Sequence, residues 1–134
     1  MGLGFHDHGR GAWPYFSGWI WGSFITMWEG HRLGLNFGYG FSDPKATKCT
    51  EDALYYDGQI HKLGLVQVRF NENNLMEPWE IESIKKAPKA LKTKINLVFE
   101  PHYLYRNYKN RLVVNVKLNQ VFGEFKGTVV LETE

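Results

Sequence analysis

Residues 33–41 carry the pattern that most constrains the fold of this chain. Every second position is a large apolar residue and the positions between are small or amide residues, in the order Leu33, Gly34, Leu35, Asn36, Phe37, Gly38, Tyr39, Gly40 and Phe41. Because successive side chains of a β-strand point to opposite faces, this alternation predicts a strand with one bulky face and one face of nearly bare backbone. Such a bare face admits a close neighbour, which can be another backbone, a large aromatic side chain or a ligand.

The rest of the sequence predicts further short strands and shows no helical periodicity. Strand-like segments are residues 18–28, 53–56, 59–70, 79–84, 91–99, 111–120 and 124–132. Turns or loops are predicted at 29–32, 41–52, 57–58, 71–78, 85–88 and 101–110, and residues 121–123 either separate the last two strands or form a bulge. About eight strands at this spacing favour an all-β, antiparallel barrel or sandwich.

Composition narrows the possible functions. Aromatic residues make up 16% of the 134 residues, which favours sheet, and 43% apolar content excludes a disordered chain. A formal net charge of +2 disfavours nucleic acid as a partner, and the single Cys49 excludes an intrachain disulfide and a cysteine zinc cage. Without a linker or repeat, residues 1–134 are expected to form a single domain in a reducing compartment, which we take as the cytoplasm.

The longest uncharged stretch does not have the pattern of a membrane-spanning helix. Residues 11–28 contain eighteen uncharged residues, which is near the lower limit for a span. Pro14, three glycines and several hydroxyl side chains interrupt it, and no secretory signal precedes it. We therefore expect a buried strand pair or a cavity wall there and no transmembrane segment.

Six short motifs follow one another along nearly the whole chain. They are HDHGRGAWPY at 6–15, GWIWGS at 18–23, GLNFGYGFSD at 34–43, TEDALYYDGQIHKL at 50–63, EPW at 77–79 and QVFGEFKGTV at 120–129. In this order they resemble the DUF2804 family, a domain of unknown function. Members of that family are usually more than twice as long, so the chain resembles their C-terminal half. The resemblance implies an N-terminal β-barrel half, or a second copy of the chain, as a partner for exposed strand edges.

The opening HDH motif also resembles that of a wider lipocalin-like group. The group includes carotenoid 1,2-hydratases, tocopherol-cyclase-like proteins and AttH-like proteins. This likeness implies an antiparallel lipocalin-like barrel whose cavity takes an apolar small molecule. Arg10 stands where the hydratases carry Trp, which argues against hydratase activity.

The candidate catalytic residues are His6, Asp7 and His8. On a strand, His6 and His8 share one face and Asp7 points to the other. An Asp7 carboxyl buried in an apolar cavity would have a raised pKa and could act as a general acid. The structural alternative is that Asp7 pairs with Arg10 at a glycine-flanked corner, and the two histidines lack a convincing third ligand for a metal.

The candidate ligand-binding residues are aromatic or lie beside the predicted 57–58 turn. They are Arg10, Trp13, Tyr15, Trp19, Trp21, Asn36, Tyr39, Glu51, Tyr55 and His61. Aromatic side chains can line a ligand cavity or simply fill the interior of a small barrel. Asn36 is the one polar side chain on the glycine-lined face, where it would orient a ligand or satisfy a backbone group.

Three functional hypotheses follow. The first is binding of an apolar or amphipathic small molecule, such as a lipid or isoprenoid, in an aromatic-lined cavity. The second is an acid–base hydratase, cyclase or isomerase that uses Asp7 or a neighbouring histidine, so the sequence leaves open whether the protein is an enzyme. The third is a structural half-domain that packs on a partner barrel. The sequence contains no P-loop or dinucleotide-binding motif, and we expect no metal or cofactor.

Overall fold

The protein is all-β, as the sequence predicted. The structure, a computed structural model, describes residues 2–4, 6–8, 18–39, 51–84, 93–111 and 114–131. Its strands are β1 (Ile20–Trp28), β2 (His31–Tyr39), β3 (Ala53–Tyr56), β4 (Gln59–Lys62), β5 (Val66–Arg69), β6 (Trp79–Ser83), β7 (Lys94–Arg111) and β8 (Val114–Val130). The described residues contain no helix that is long and apolar enough to cross a membrane.

The eight strands are antiparallel and form two four-stranded sheets. One sheet has the order β1-β2-β3-β4 and the other the order β5-β6-β7-β8, and no described pair of strands closes either sheet into a barrel. The described residues group into two compact units. The first unit lies within Met1–Val66, Ser83–Lys94 and Val130–Glu134, and the second within Gln67–Glu82 and Ile95–Val129.

Two tight hairpins build the first sheet, at the turns that the sequence predicted. Glu29 and Gly30 connect β1 to β2, and Asp57 and Gly58 connect β3 to β4. All four residues have positive φ, between 44° and 91°, which is the backbone geometry of a type I′ turn. This turn matches the natural twist of the two strands and fixes their register.

The predicted strand at residues 59–70 is in fact two strands in different sheets. β4 ends at Lys62 and β5 begins at Val66. Between them Gly64 has φ 78°, a left-handed conformation that ends the extended run. Leu63 and Val66 on either side of this bend are fully or almost fully buried, so the apolar sequence there reflects packing rather than strand continuity.

The predicted tyrosine-rich loop at 101–110 is part of β7, and the two predicted final strands are the single strand β8. Pro101 lies beyond the last described pair of β6 and β7, Trp79 and Phe99, so its missing N–H breaks no described hydrogen bond to β6. Gly123 and Gly127 of β8 allow close backbone approach. A Cβ at Gly123 would lie 2.0 Å from the carbonyl oxygen of Glu100, and a Cβ at Gly127 would lie 2.2 Å from the carbonyl oxygen of Asn96.

Each unit has its own apolar core. In the first unit the core comprises Leu35, Phe37, Leu54, Leu63 and Val66. In the second unit the buried Ile95, Leu97 and Phe99 alternate with more exposed neighbours along β7, so this strand has one buried face.

A buried carboxylate organises the core of the first unit. Asp52 is 0% exposed, directly before β3. Its Oδ1 accepts a hydrogen bond of 2.9 Å from the amide of Gly38 in β2, and its Oδ2 accepts one of 2.9 Å from the amide of Val66. Its own backbone carbonyl accepts a hydrogen bond from the amide of Leu63. Asp52 thus bonds to three backbone amides, one in β2 and two at the bend between β4 and β5.

We predict that Asp52→Ala lowers the free energy of unfolding by about 3 kcal/mol, because two buried amides lose their acceptors at about 1–3 kcal/mol each. Asp52→Asn keeps one good acceptor and should lose about half as much. The matched control is the exposed neighbour Glu51, which makes its described hydrogen bond through the backbone carbonyl and not through the side chain. Glu51→Ala should therefore change the free energy of unfolding by no more than about 0.5 kcal/mol. Urea unfolding measures all three variants, and an Asp52→Ala variant as stable as the control would contradict this role.

Candidate functional site

The glycine-lined face of the first sheet is the face that carries Gly34, Asn36 and Gly38. Directly paired residues of antiparallel strands share a face, so the register identifies its other members. One row across the four strands is Ile25, Gly34, Tyr55 and Ile60. The neighbouring row contains Asn36 and Ala53, and Arg32 lies one row further toward the β1–β2 turn. The opposite face carries the buried Leu35, Phe37 and Leu54.

A groove of about 340 Å³ lies on this glycine-lined face. Its lining is apolar except for one amide, one phenol and one guanidinium. The lining residues are Leu3, Ile25, Arg32, Gly34, Leu35, Asn36, Ala53, Leu54, Tyr55 and Ile60. A groove forms here because Gly34 and Ala53 leave a floor between the larger side chains of Ile25, Tyr55 and Ile60.

A hydrogen-bonded chain fixes Asn36, the one amide in the groove. Its Oδ1 accepts a hydrogen bond of 2.9 Å from the indole Nε1 of Trp21, and its Nδ2 donates one of 3.1 Å to the backbone carbonyl of Glu51. Of the two roles predicted for Asn36, the structure describes the contact with a backbone group. Trp21 is 42% exposed, so its ring borders solvent beside the groove.

The structure distributes the predicted ligand-binding residues unevenly. Asn36 and Tyr55 line the groove, while Trp21 and Glu51 hold Asn36. His61 pairs with Leu54 and is on the opposite face, and both Trp19 and Tyr39 are exposed. Arg10, Trp13 and Tyr15 lie outside the described residues.

Sequence reasoning missed most of the aliphatic lining. Ile25, Ala53 and Ile60 were not selected because an aliphatic residue in a strand carries no chemical signal. The two predicted turns could have found them, because a two-residue turn fixes which residues pair with Gly34 and therefore share its face.

His6, Asp7 and His8, the predicted catalytic group, are exposed. The general-acid hypothesis depends on burial of the Asp7 carboxyl in an apolar cavity. No such burial surrounds Asp7 among the described residues, and its predicted partner Arg10 lies outside them. Catalysis by this group therefore remains a prediction from the sequence.

A hydrogen bond between Asp57 and His31 lies at the β3–β4 turn, next to Arg32 at one end of the groove. The Oδ2 of Asp57 lies 2.6 Å from Nδ1 of His31, and its Oδ1 accepts a hydrogen bond of 2.8 Å from the backbone amide of Arg32. The hydrogen bond from His31, then that from the Arg32 amide, lowers the pKa of Asp57 below its ordinary value of 3.8. The His31 ring also stacks on Tyr56, with ring centroids 5.2 Å apart.

In the second unit, Glu100, His102 and Glu124 present ligand atoms within 4.8 Å of one another. Carboxylate and imidazole groups can hold a divalent cation. However, the ammonium of Lys126 is 2.5 Å from Oε2 of Glu100 and already supplies a positive charge. This hydrogen bond also raises the pKa of Lys126. The cluster is thus explained as a surface ion pair beside a histidine.

The second unit also contains an aromatic cluster. Trp79 stacks on Phe70 at 4.6 Å and meets Phe99 edge-on at 5.9 Å, and Phe99 contacts Phe125 at 4.9 Å. The indole of Trp79 donates a hydrogen bond to the carbonyl of Leu75. These contacts stabilise the second unit by packing aromatic rings against one another.

The fold and the groove define an all-β domain with an open apolar groove on one antiparallel sheet. The chain belongs to the DUF2804 family: the model of this family, described as a domain of unknown function, matches residues 1–134. The resemblance of the six motifs to this family is thereby confirmed. No curated protein and no solved structure matches the chain.

The lowered pKa of Asp57 predicts a pH-dependent contribution to stability. Asp57→Asn keeps a residue that tolerates the left-handed turn conformation but removes the carboxylate. A folded-state pKa below 3.8 means that the carboxylate stabilises the protein above that pH, and this stabilisation disappears as the pH falls through the folded value. The wild type should therefore have the higher urea midpoint at pH 6, and the difference should shrink below pH 3.8. A difference that grows on acidification would contradict the assignment.

Proposed function

We propose that this domain binds an apolar or amphipathic small molecule in the groove on its glycine-lined face. The observation that carries the proposal is the groove itself, about 340 Å³ of space over a largely apolar floor. That volume falls at the lower end of the range of small-molecule sites, which are mostly apolar with a few placed polar groups. A compact lipid or isoprenoid fragment is the class of ligand that we propose.

The polar groups of the groove support an apolar ligand. The oxygen and the nitrogen of the Asn36 amide are both engaged by the protein, so the amide adds little demand for a polar partner. Ile60 is 68% exposed, which is a large apolar area in contact with water. Covering Ile25 and Ile60 with apolar atoms would be favourable by about 25 cal/mol for each Å² removed from water.

We also propose that the fold belongs to the lipocalin-like class of antiparallel barrels. The resemblance of the HDH motif to lipocalin-like proteins supports this class. The antiparallel strand order and the hairpin connections of the first sheet are compatible with it. Lipocalins hold one small ligand within such a barrel.

A neutral fluorescent naphthylamine tests the proposed groove by equilibrium titration. We expect saturable binding to the wild type and weaker binding, by about tenfold, to Gly34→Val. A Cβ at this position would lie 3.3 Å from the carbonyl oxygen of Phe24, 3.5 Å from Cβ of Tyr55 and 3.8 Å from Cγ1 of Ile25, so the larger side chain of valine would fill part of the groove. Ile60→Ser should also weaken binding, and its exposure makes it a safe change for folding.

The control is Thr26→Val, which places the same valine side chain in the same sheet but on its other face. Thr26 pairs with Leu33 and is therefore on the opposite face from Gly34. Circular dichroism of each variant establishes that the sheet is intact. The proposal fails if folded Gly34→Val and Ile60→Ser bind the naphthylamine as tightly as the control.

A further inference from the structure

We propose that the groove selects a ligand with one aliphatic chain that ends in a carboxylate, and that Arg32 binds this carboxylate. This inference rests on the proposed function, because it names the class of molecule that the same groove takes. It depends on three properties of Arg32: its position, its lack of an ion pair among the described residues, and its single charge.

Arg32 marks one end of an otherwise apolar path. It lines the groove together with Gly34 and Asn36, which follow it at alternate positions of β2 and so share its face. From Arg32 the lining continues as the aliphatic side chains of Ile25 and Ile60. Arg32 is the only charged residue in the described lining, so the groove presents a cation at one end and apolar surface beyond it.

The guanidinium of Arg32 remains available for a ligand. Asp57 engages the backbone amide of Arg32 through Oδ1 and the ring of His31 through Oδ2, and the attraction of the Arg32 charge is the weakest of the interactions that lower the pKa of Asp57. Within the described parts of the chain, no salt bridge to Arg32 is formed. Asp57 therefore holds the backbone of Arg32 in place while both of its oxygens are already engaged elsewhere.

The charge balance favours a carboxylate over a phosphate. A guanidinium matches the geometry of a carboxylate with two parallel hydrogen bonds, and one positive charge neutralises one negative charge. A phosphate monoester carries about −1.5 to −2 at neutral pH. Its second charge would find no further cation in the described lining.

Competition against the fluorescent naphthylamine tests this inference with ligands of one chain length. Decanoate, 1-decanol and decyl phosphate share the same aliphatic chain and differ in the polar end. We expect decanoate to displace the naphthylamine at about tenfold lower concentration than decanol, although the alcohol is the more hydrophobic of the two. Decyl phosphate should be weaker than decanoate.

The Arg32→Gln variant removes the positive charge and leaves the apolar lining of the groove unchanged. This variant should lose the preference for decanoate and bind decanol as the wild type does. Lys117→Gln removes the same charge from an exposed position in the second unit and should keep the preference. Raising the salt concentration should weaken decanoate and leave decanol unaffected.

The possible failures are distinguishable. If decanol binds as tightly as decanoate, or Arg32→Gln weakens both ligands alike, the role of Arg32 is overturned while the groove remains a binding site. Tighter binding of decyl phosphate would overturn the choice of a carboxylate. If neither the naphthylamine nor any decyl compound binds, the proposed function and this inference both fall.

Discussion

The buried carboxylate of Asp52 is the interaction on which the first unit depends. A charge removed from water is costly unless it is hydrogen-bonded, and the amides of Gly38 and Val66 supply those bonds. These hydrogen bonds connect Asp52, which directly precedes β3, to Gly38 near the end of β2 and to Val66 at the start of β5. Because Ala53 follows Asp52 and pairs with Asn36, the same anchoring positions the floor of the groove.

The groove results from an unequal distribution of side-chain size across one sheet. The bulky residues of β2 are on the core face, where Leu35 and Phe37 are almost completely buried. The space on the other face exists because Gly34 has no side chain, and Ile25, Tyr55 and Ile60 border it. Trp21, Asn36 and the Glu51 carbonyl then fix the polar side of the groove by hydrogen bonds within the protein.

Local patterns predicted the parts of the fold that depend on neighbouring residues. The alternation at 33–41 and the two turn pairs gave β2 and both hairpins of the first sheet. The segment 59–70 and the tyrosine-rich segment 101–110 were assigned wrongly because long-range partners decide them. The bend at Gly64 and the pairing of β7 with β8 are not visible in a single sequence.

The sequence likewise predicted only those residues of the candidate site that a local pattern distinguishes. The glycine-lined face identified Asn36, and the polar segment beside the 57–58 turn identified Tyr55. Nothing local distinguishes the buried Asp52 from the exposed Glu51, since burial is a property of the packed chain. Arg32 was read only as part of a turn, because its alignment with an apolar row appears only after the register is known.

Nuclear magnetic resonance of isoleucine methyl groups tests directly whether a ligand binds in the groove on the glycine-lined face. Ile25 and Ile60 line the groove, whereas Ile81 and Ile95 belong to the core of the second unit and serve as internal controls. On titration with decanoate, we predict saturable shifts of the Ile25 and Ile60 signals with little change at Ile81 and Ile95. Unchanged Ile25 and Ile60 signals at saturating ligand, or shifts confined to Ile81 and Ile95, would contradict this prediction.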